Sequence, residues 1–111
     1  MPELFKIVWS EIAIADLDSV LDYIAYEDSV ESAQDVYAKI ELKVNSLTHS
    51  PRRCRVVPEL QEIGVSEFRE ALCGPYRICF RLYQQTVVLV AIVDSRRNLE
   101  ELLVERSLLF T

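Results

Sequence analysis

Between Ser10 and His49 apolar residues recur at helical spacing along two successive segments, and this doubled pattern constrains the fold more than anything else in the chain. In the first segment Ala13, Leu17, Val20, Leu21 and Ile24 form one buried stripe, which predicts a helix from Ser10 to about Tyr26. Ser10 offers an N-cap hydroxyl, and Asp16, Asp18 and Asp22 lie off the stripe. In the second, Ala33, Val36, Tyr37, Ile40, Val44 and Leu47 predict a helix reaching about His49, opened by the capping-box spacing of Asp28 and Glu31. A short break at 27–29 between two such helices predicts an antiparallel hairpin whose apolar side needs a second layer to cover it.

The rest of the chain supplies that layer as strands. Leu4 to Trp9 alternates over Phe5, Ile7 and Trp9. Residues 50–67, entered at Pro51 and carrying Pro58 and Gly64, form a loop. Phe68 to Cys73 is a strand, Gly74–Pro75 a turn, and Tyr76 to Tyr83 a strand. There Tyr76, Ile78, Phe80 and Leu82 point one way and Arg77, Cys79, Arg81 and Tyr83 the other. After Gln84–Gln85, Thr86 to Val93 is apolar throughout, as a strand covered on both faces would be. Asn98 to Phe110 predicts a terminal helix. The order β-α-α-β-β-β-α describes an α+β fold, an antiparallel sheet of about four strands with the N-terminal helical hairpin on one face. The 111 residues fit one domain, 1–111.

Charge is segregated. The stretch before Val36 carries nine acids against Lys6, a net of −8, whereas residues 50–97 carry eight arginines against five acids, a net of +3. A local arginine surface is therefore expected on a chain of net charge −6. Cys54, Cys73 and Cys79 form no CxxC pair and are expected as reduced thiols, and with His49 the lone histidine no metal and no cofactor is expected. No leader or membrane-length apolar run is seen, so a soluble, cytoplasmic protein without membrane partners is expected.

Three segments together resemble the RelE/ParE superfamily of type II toxin–antitoxin toxins. They are FKIVWSEIAIADLDSVLDYIAYED, SLTHSPRRCRVVPEL and FREALCGPYRICFRLYQQTVVLVAIVDSRR. The resemblance implies a RelE/ParE-like fold and a toxin neutralised by a cognate antitoxin, with indirect DNA association through that antitoxin and a homo-oligomer or a toxin–antitoxin hetero-oligomer as assembly. It also implies a role in plasmid stabilization and growth arrest. Two targets are known for such toxins. ParE-like members bind DNA gyrase and trap its cleaved-DNA intermediate, which is a binding function. RelE-like members are ribosome-dependent mRNA interferases.

RNA cleavage by this fold employs the substrate's 2′-hydroxyl, so the protein must handle two protons and stabilise phosphate charge. Arginine suits the last task and not the first two, because it stays charged. Arg77 and Arg96 match phosphate-binding positions of the resemblance, and Glu70 and Asp94 are the candidate bases if the chain is an endoribonuclease. Lysines on the strand before the Tyr-Arg turn and a C-terminal tyrosine, both features of the RelE-like enzymes, are replaced by Phe68-Arg69-Glu70-Ala71-Leu72 and by leucines. The long hairpin also resembles ParE more than RelE. The leading expectation is accordingly a gyrase inhibitor, not an enzyme, with Arg69, Arg77, Arg81, Arg96, Arg97, Leu99 and Leu102 contacting target or antitoxin. An mRNA interferase and a non-toxic binding module of the same fold are the alternatives. For Arg77 and Arg81 the competing structural role is an ion pair with Glu70 or Glu67 on the exposed sheet face.

Overall fold

The computed structural model describes residues 4–96 and 99–107. The elements are β1 (Lys6–Trp9), α1 (Glu11–Glu27), α2 (Val30–Ser46), a 3-10 turn (Pro51–Arg53), β2 (Arg55–Val56), α3 (Pro58–Gln61), β3 (Phe68–Cys73), β4 (Tyr76–Tyr83), β5 (Thr86–Asp94) and α4 (Leu99–Ser107). The expected α+β architecture is present, with a sheet of five strands in the order β1-β5-β4-β3-β2. Three of its four neighbouring pairs are antiparallel, but β1 runs parallel to β5, from Lys6 opposite Thr86 to Trp9 opposite Leu89.

Both hairpin helices start at a serine. The Ser10 hydroxyl accepts the Ala13 N–H at 3.1 Å, and the Ser29 hydroxyl accepts the Ser32 N–H at 3.0 Å. The second cap is therefore Ser29, not the expected Asp28. Asp28 instead ends α1, its N–H donating to the Ile24 carbonyl at 2.8 Å. Ser29 wins because its backbone is extended and its hydroxyl reaches the free amide three residues on. At the far end α2 stops at Ser46, where the next three amides tighten onto carbonyls three residues back.

The sheet separates two apolar clusters. On one face the hairpin contributes Ala13, Leu17, Ile40, Val44 and Leu47 against Phe5, Ala71, Ile78, Phe80, Val87, Leu89 and Ile92. On the other, Val57, Leu60, Leu99 and Leu103 pack on Phe68, Cys79, Val90, Ala91 and Val93. Leu89 and Ile92 share a face although three residues apart. The reason is a bulge: Cys79 stands opposite Ala91 and Phe80 opposite Leu89, leaving Val90 as the extra residue. The turns are tight. Gly74 sits at φ +57° at the first position of a two-residue hairpin, where a positive φ favours glycine.

Residues 50–67 hold more structure than the expected loop. Val57 donates to the Phe68 carbonyl at 2.9 Å, and the single turn of α3 buries Leu60 on the second face. That turn and α4 close a face that would otherwise meet solvent.

Candidate functional site

Four of the arginines expected to make a surface, Arg55, Arg69, Arg77 and Arg96, are engaged by carboxylates or carbonyls. Arg77 is 7 % exposed and lies beneath α3. Its Nε donates to Glu70 Oε1 at 2.6 Å and its Nη2 to Glu59 Oε1 at 2.7 Å. Glu70, 2 % exposed, also accepts from Arg55 Nε at 2.6 Å. Four charges thus alternate, Arg55–Glu70–Arg77–Glu59, and cancel. Bonding to Arg77 holds the Glu59 carboxyl below the usual carboxylate range, and the same contacts push the Arg77 guanidinium further up. Cys79, on the same face, is pushed up to about 12, first by burial and then by Glu70. A thiol so placed is inert.

The expected exposed arginine face is corrected on this point. Arg77 does point away from the hairpin, but α3 and α4 cover that side. Of the pairings weighed from the sequence for Arg77 and Arg81, with Glu70 or Glu67, Arg77 with Glu70 is observed, and it is buried instead of exposed. Glu59, the third member, was not anticipated because it belongs to the segment expected as loop.

Asp94 and Arg96 form a second pair at the end of β5. Arg96 Nε donates to Asp94 Oδ1 at 3.0 Å, Arg96 Nη2 to Oδ2 at 2.9 Å, and the Arg96 backbone N–H to Oδ1 at 2.9 Å. These bonds hold the Asp94 carboxyl at about 2. The Arg96 side chain is 86 % exposed. The pair edges an open groove of about 520 Å³ between α1 and β5, lined also by Val20, Tyr23, Tyr76 and Ile92. Burial and then Asp94 raise the Tyr76 phenol, so it stays protonated near neutrality.

The four residues named for ribonuclease chemistry therefore do not converge. Glu70 and Arg77 lie on the α3/α4 face with Cys79, whereas Asp94 and Arg96 line the hairpin side with Tyr76 and Ile92. Of the other expected contact residues, Arg69 donates to the Cys54 and Arg52 carbonyls at 2.6 and 3.1 Å, bracing the loop after α2. The Arg52 guanidinium sits 5.1 Å from the centre of the Phe5 ring. Arg81 is half-buried on β4. Leu99 is buried and Leu102 half-buried, both packed on the second cluster. Arg97 lies outside the described residues. No helix among the described residues is long and apolar enough to cross a membrane.

A five-strand mixed sheet carrying an N-terminal helical hairpin is the fold of the RelE/ParE toxins. The structure resembles that of the chromosomal ParDE toxin–antitoxin system from P. aeruginosa, with a TM-score of 0.70 at 20% identity, covering 83% of this chain and 97% of that one. It also resembles the toxin–antitoxin complex RelBE2 from Mycobacterium tuberculosis, with a TM-score of 0.55 at 20% identity, covering 82% and 98%. No curated protein sequence matches. The family model described as the ParE toxin of type II toxin–antitoxin system, parDE, matches residues 7–99. The chain belongs to the ParE toxin family.

Proposed function

We propose that this ParE-family chain is a cytoplasmic toxin that arrests growth by binding DNA gyrase, without catalysis, and that a cognate antitoxin neutralises it. The observation that carries this reading is the separation of the two arginine–carboxylate pairs onto opposite faces of the sheet. A phosphate cannot be clamped by Arg77 and Arg96 at once, and Glu59 and Glu70 already take up the Arg77 fork that phosphate would need. Binding requires neither convergence nor a proton-transfer group. The antitoxin part rests on family membership and on likeness to two toxin–antitoxin systems.

Within the expected contact set, Arg69, Arg81, Arg96 and Leu102 are the members proposed to touch target or antitoxin. Arg77 and Leu99 support them from beneath.

The test pairs two assays on the same purified toxin. Supercoiling by purified gyrase falls, cleaved DNA accumulates, and Arg96→Glu weakens both effects. Primer extension on total RNA after induction shows intact messages. Codon-specific cuts that vanish in Arg77→Ala, with gyrase unaffected, overturn the reading in favour of an mRNA interferase. No growth arrest and no effect in either assay leaves the non-toxic binding module.

A further inference from the structure

Along the seam between the two hairpin helices runs a furrow that the proposed function does not use. Along α1 its wall is Ile14, Leu17, Asp18 and Leu21. Along α2 it is Val30, Ala33, Tyr37, Ile40, Glu41 and Val44. Two hollows lie in it. One, of about 450 Å³, has Trp9, Leu17, Ile40 and Val44 for apolar lining, and the other, of about 350 Å³, has Leu21, Val30 and Ala33. Tyr37 borders both. Their α2 residues Ala33 and Ile40 are seven positions apart, about 10 Å along a helix. That is the i, i+7 spacing at which a docking helix presents its anchors.

The floor, with Leu17, Ala33, Ile40 and Val44, is buried, while Ile14, Val30 and Tyr37 on the rim are exposed large side chains. The rim is acidic. Asp18 and Glu41 line the first hollow, the Tyr37 hydroxyl is bonded to Glu41, and residues 10–49 hold nine acids against two lysines. That net of −7 exceeds the −6 of the whole chain. By contrast, the arginines Arg55, Arg77, Arg96 and Arg106 are neutralised internally. The negative charge of the molecule is therefore centred on the hairpin, Asp16 with its Arg106 partner set aside.

We infer that the α1–α2 furrow is a docking site for a basic amphipathic helix of a partner protein, with two apolar anchors at i and i+7 flanked by Lys or Arg. The inference does not depend on gyrase being the target. An acidic partner helix is repelled at the rim, and charge complementarity steers a basic one in.

The probe is a synthetic amphipathic helix of about five turns, long enough to hold helical structure. It carries leucines at the anchor spacing and lysines beside them, and a twin has glutamates in place of the lysines. Fluorescence anisotropy on the full chain should detect binding of the lysine peptide alone, weakening with salt. Asp18→Lys with Glu41→Lys, and separately Ile14→Asp, should each weaken it about tenfold or more. Leu42→Asp, on α2 outside the furrow, should leave it unchanged. Amide NMR shifts on adding the peptide should cluster at 14–21 and 30–45, and the wild-type spectrum shows directly whether each variant is folded. Equal binding of the glutamate twin, shifts clustered elsewhere, no binding by either peptide, or self-association of the chain abolished by Ile14→Asp would each overturn the inference.

Discussion

Asp16 and Arg106, 90 positions apart in the chain, meet in a two-point ion pair, Nη1 to Oδ2 at 2.6 Å and Nη2 to Oδ1 at 2.9 Å. The same groups occupy the outer edge of β5 where β1 has stopped. Asp16 Oδ2 accepts the Ile92 N–H at 3.0 Å, and Arg106 Nη1 donates to the carbonyl of the bulge residue Val90 at 2.8 Å. Two side chains thus take ladder positions that another strand would fill. They also fasten α4, which lies on the opposite face, to α1.

Arg106→Ala should release α4 before the sheet melts. Removing one partner of a mostly buried pair leaves the other charge and the Val90 carbonyl unsatisfied, at a cost of about 2–4 kcal/mol. Asp16→Asn should cost less, since its amide oxygen still accepts from Ile92. Denaturant melts give the magnitudes. Hydrogen exchange should show residues 99–107 losing protection first, and an unchanged exchange pattern in Arg106→Ala would count against this fastening.

The Glu70 cluster should behave asymmetrically. Glu70→Ala strands Arg77 and Arg55 and should cost about 3–5 kcal/mol, whereas Glu70→Ala combined with Arg77→Met should recover much of that loss. A double-mutant cycle measures the coupling, and simple additivity would refute it.

In the core, Ile40→Ala should cost about 2–5 kcal/mol, because Ile40 is fully buried between hairpin and sheet and leaves a cavity. Leu21, half-buried beside the furrow, should cost less, about 1–2 kcal/mol on the same scale. Urea unfolding of both variants checks the order, and equal costs would contradict it.

Acid should weaken the fold in two stages. The Glu59 carboxyl, held below its usual 4.5 by bonding to Arg77, contributes stability that is complete above about pH 5 and fades as pH falls through its folded value. Asp94, held at about 2 by Arg96 against a usual 3.8, gives up its share between about pH 4 and 2. Melting curves from pH 6 to 2 should flatten in their upper acid range in Glu59→Gln. A wild-type slope retained in that variant would refute the assignment.

The hairpin and the three long strands were legible because their periods of 3.6 and 2 run for several repeats. The segment 50–67 was not: β2 has two residues and α3 four, too short for any period to register. Pro58 right after Val57, with Leu60 three positions on, was the available signal for a helix start. The parallel seat of β1 was equally hidden, since alternation tells which face a residue takes and not which strand lies beside it. At the candidate site the Glu70–Arg77 pair was within reach. Once Gly74–Pro75 sets the β3–β4 register, Glu70 faces Cys79 and Arg77 becomes its diagonal neighbour. The apolar run of Thr86 to Val93 implied a cover over that face, but no pattern carried α3 and its Glu59, and with them the difference between an arginine that meets a partner and one that neutralises a buried acid.

Because β1 pairs in the sheet with β5, its first residue finds its place opposite Thr86, 80 positions downstream. At about 5–20 residues per second, synthesis needs on the order of 4–16 s to bring that neighbour out after Lys6 has been made. A nascent chain cut short anywhere before residue 86 leaves β1 with no strand to join and the hairpin's apolar side without its central cover. The sheet can therefore close only after β5 has been made, and the two layers on its hairpin side come together as one event and not strand by strand.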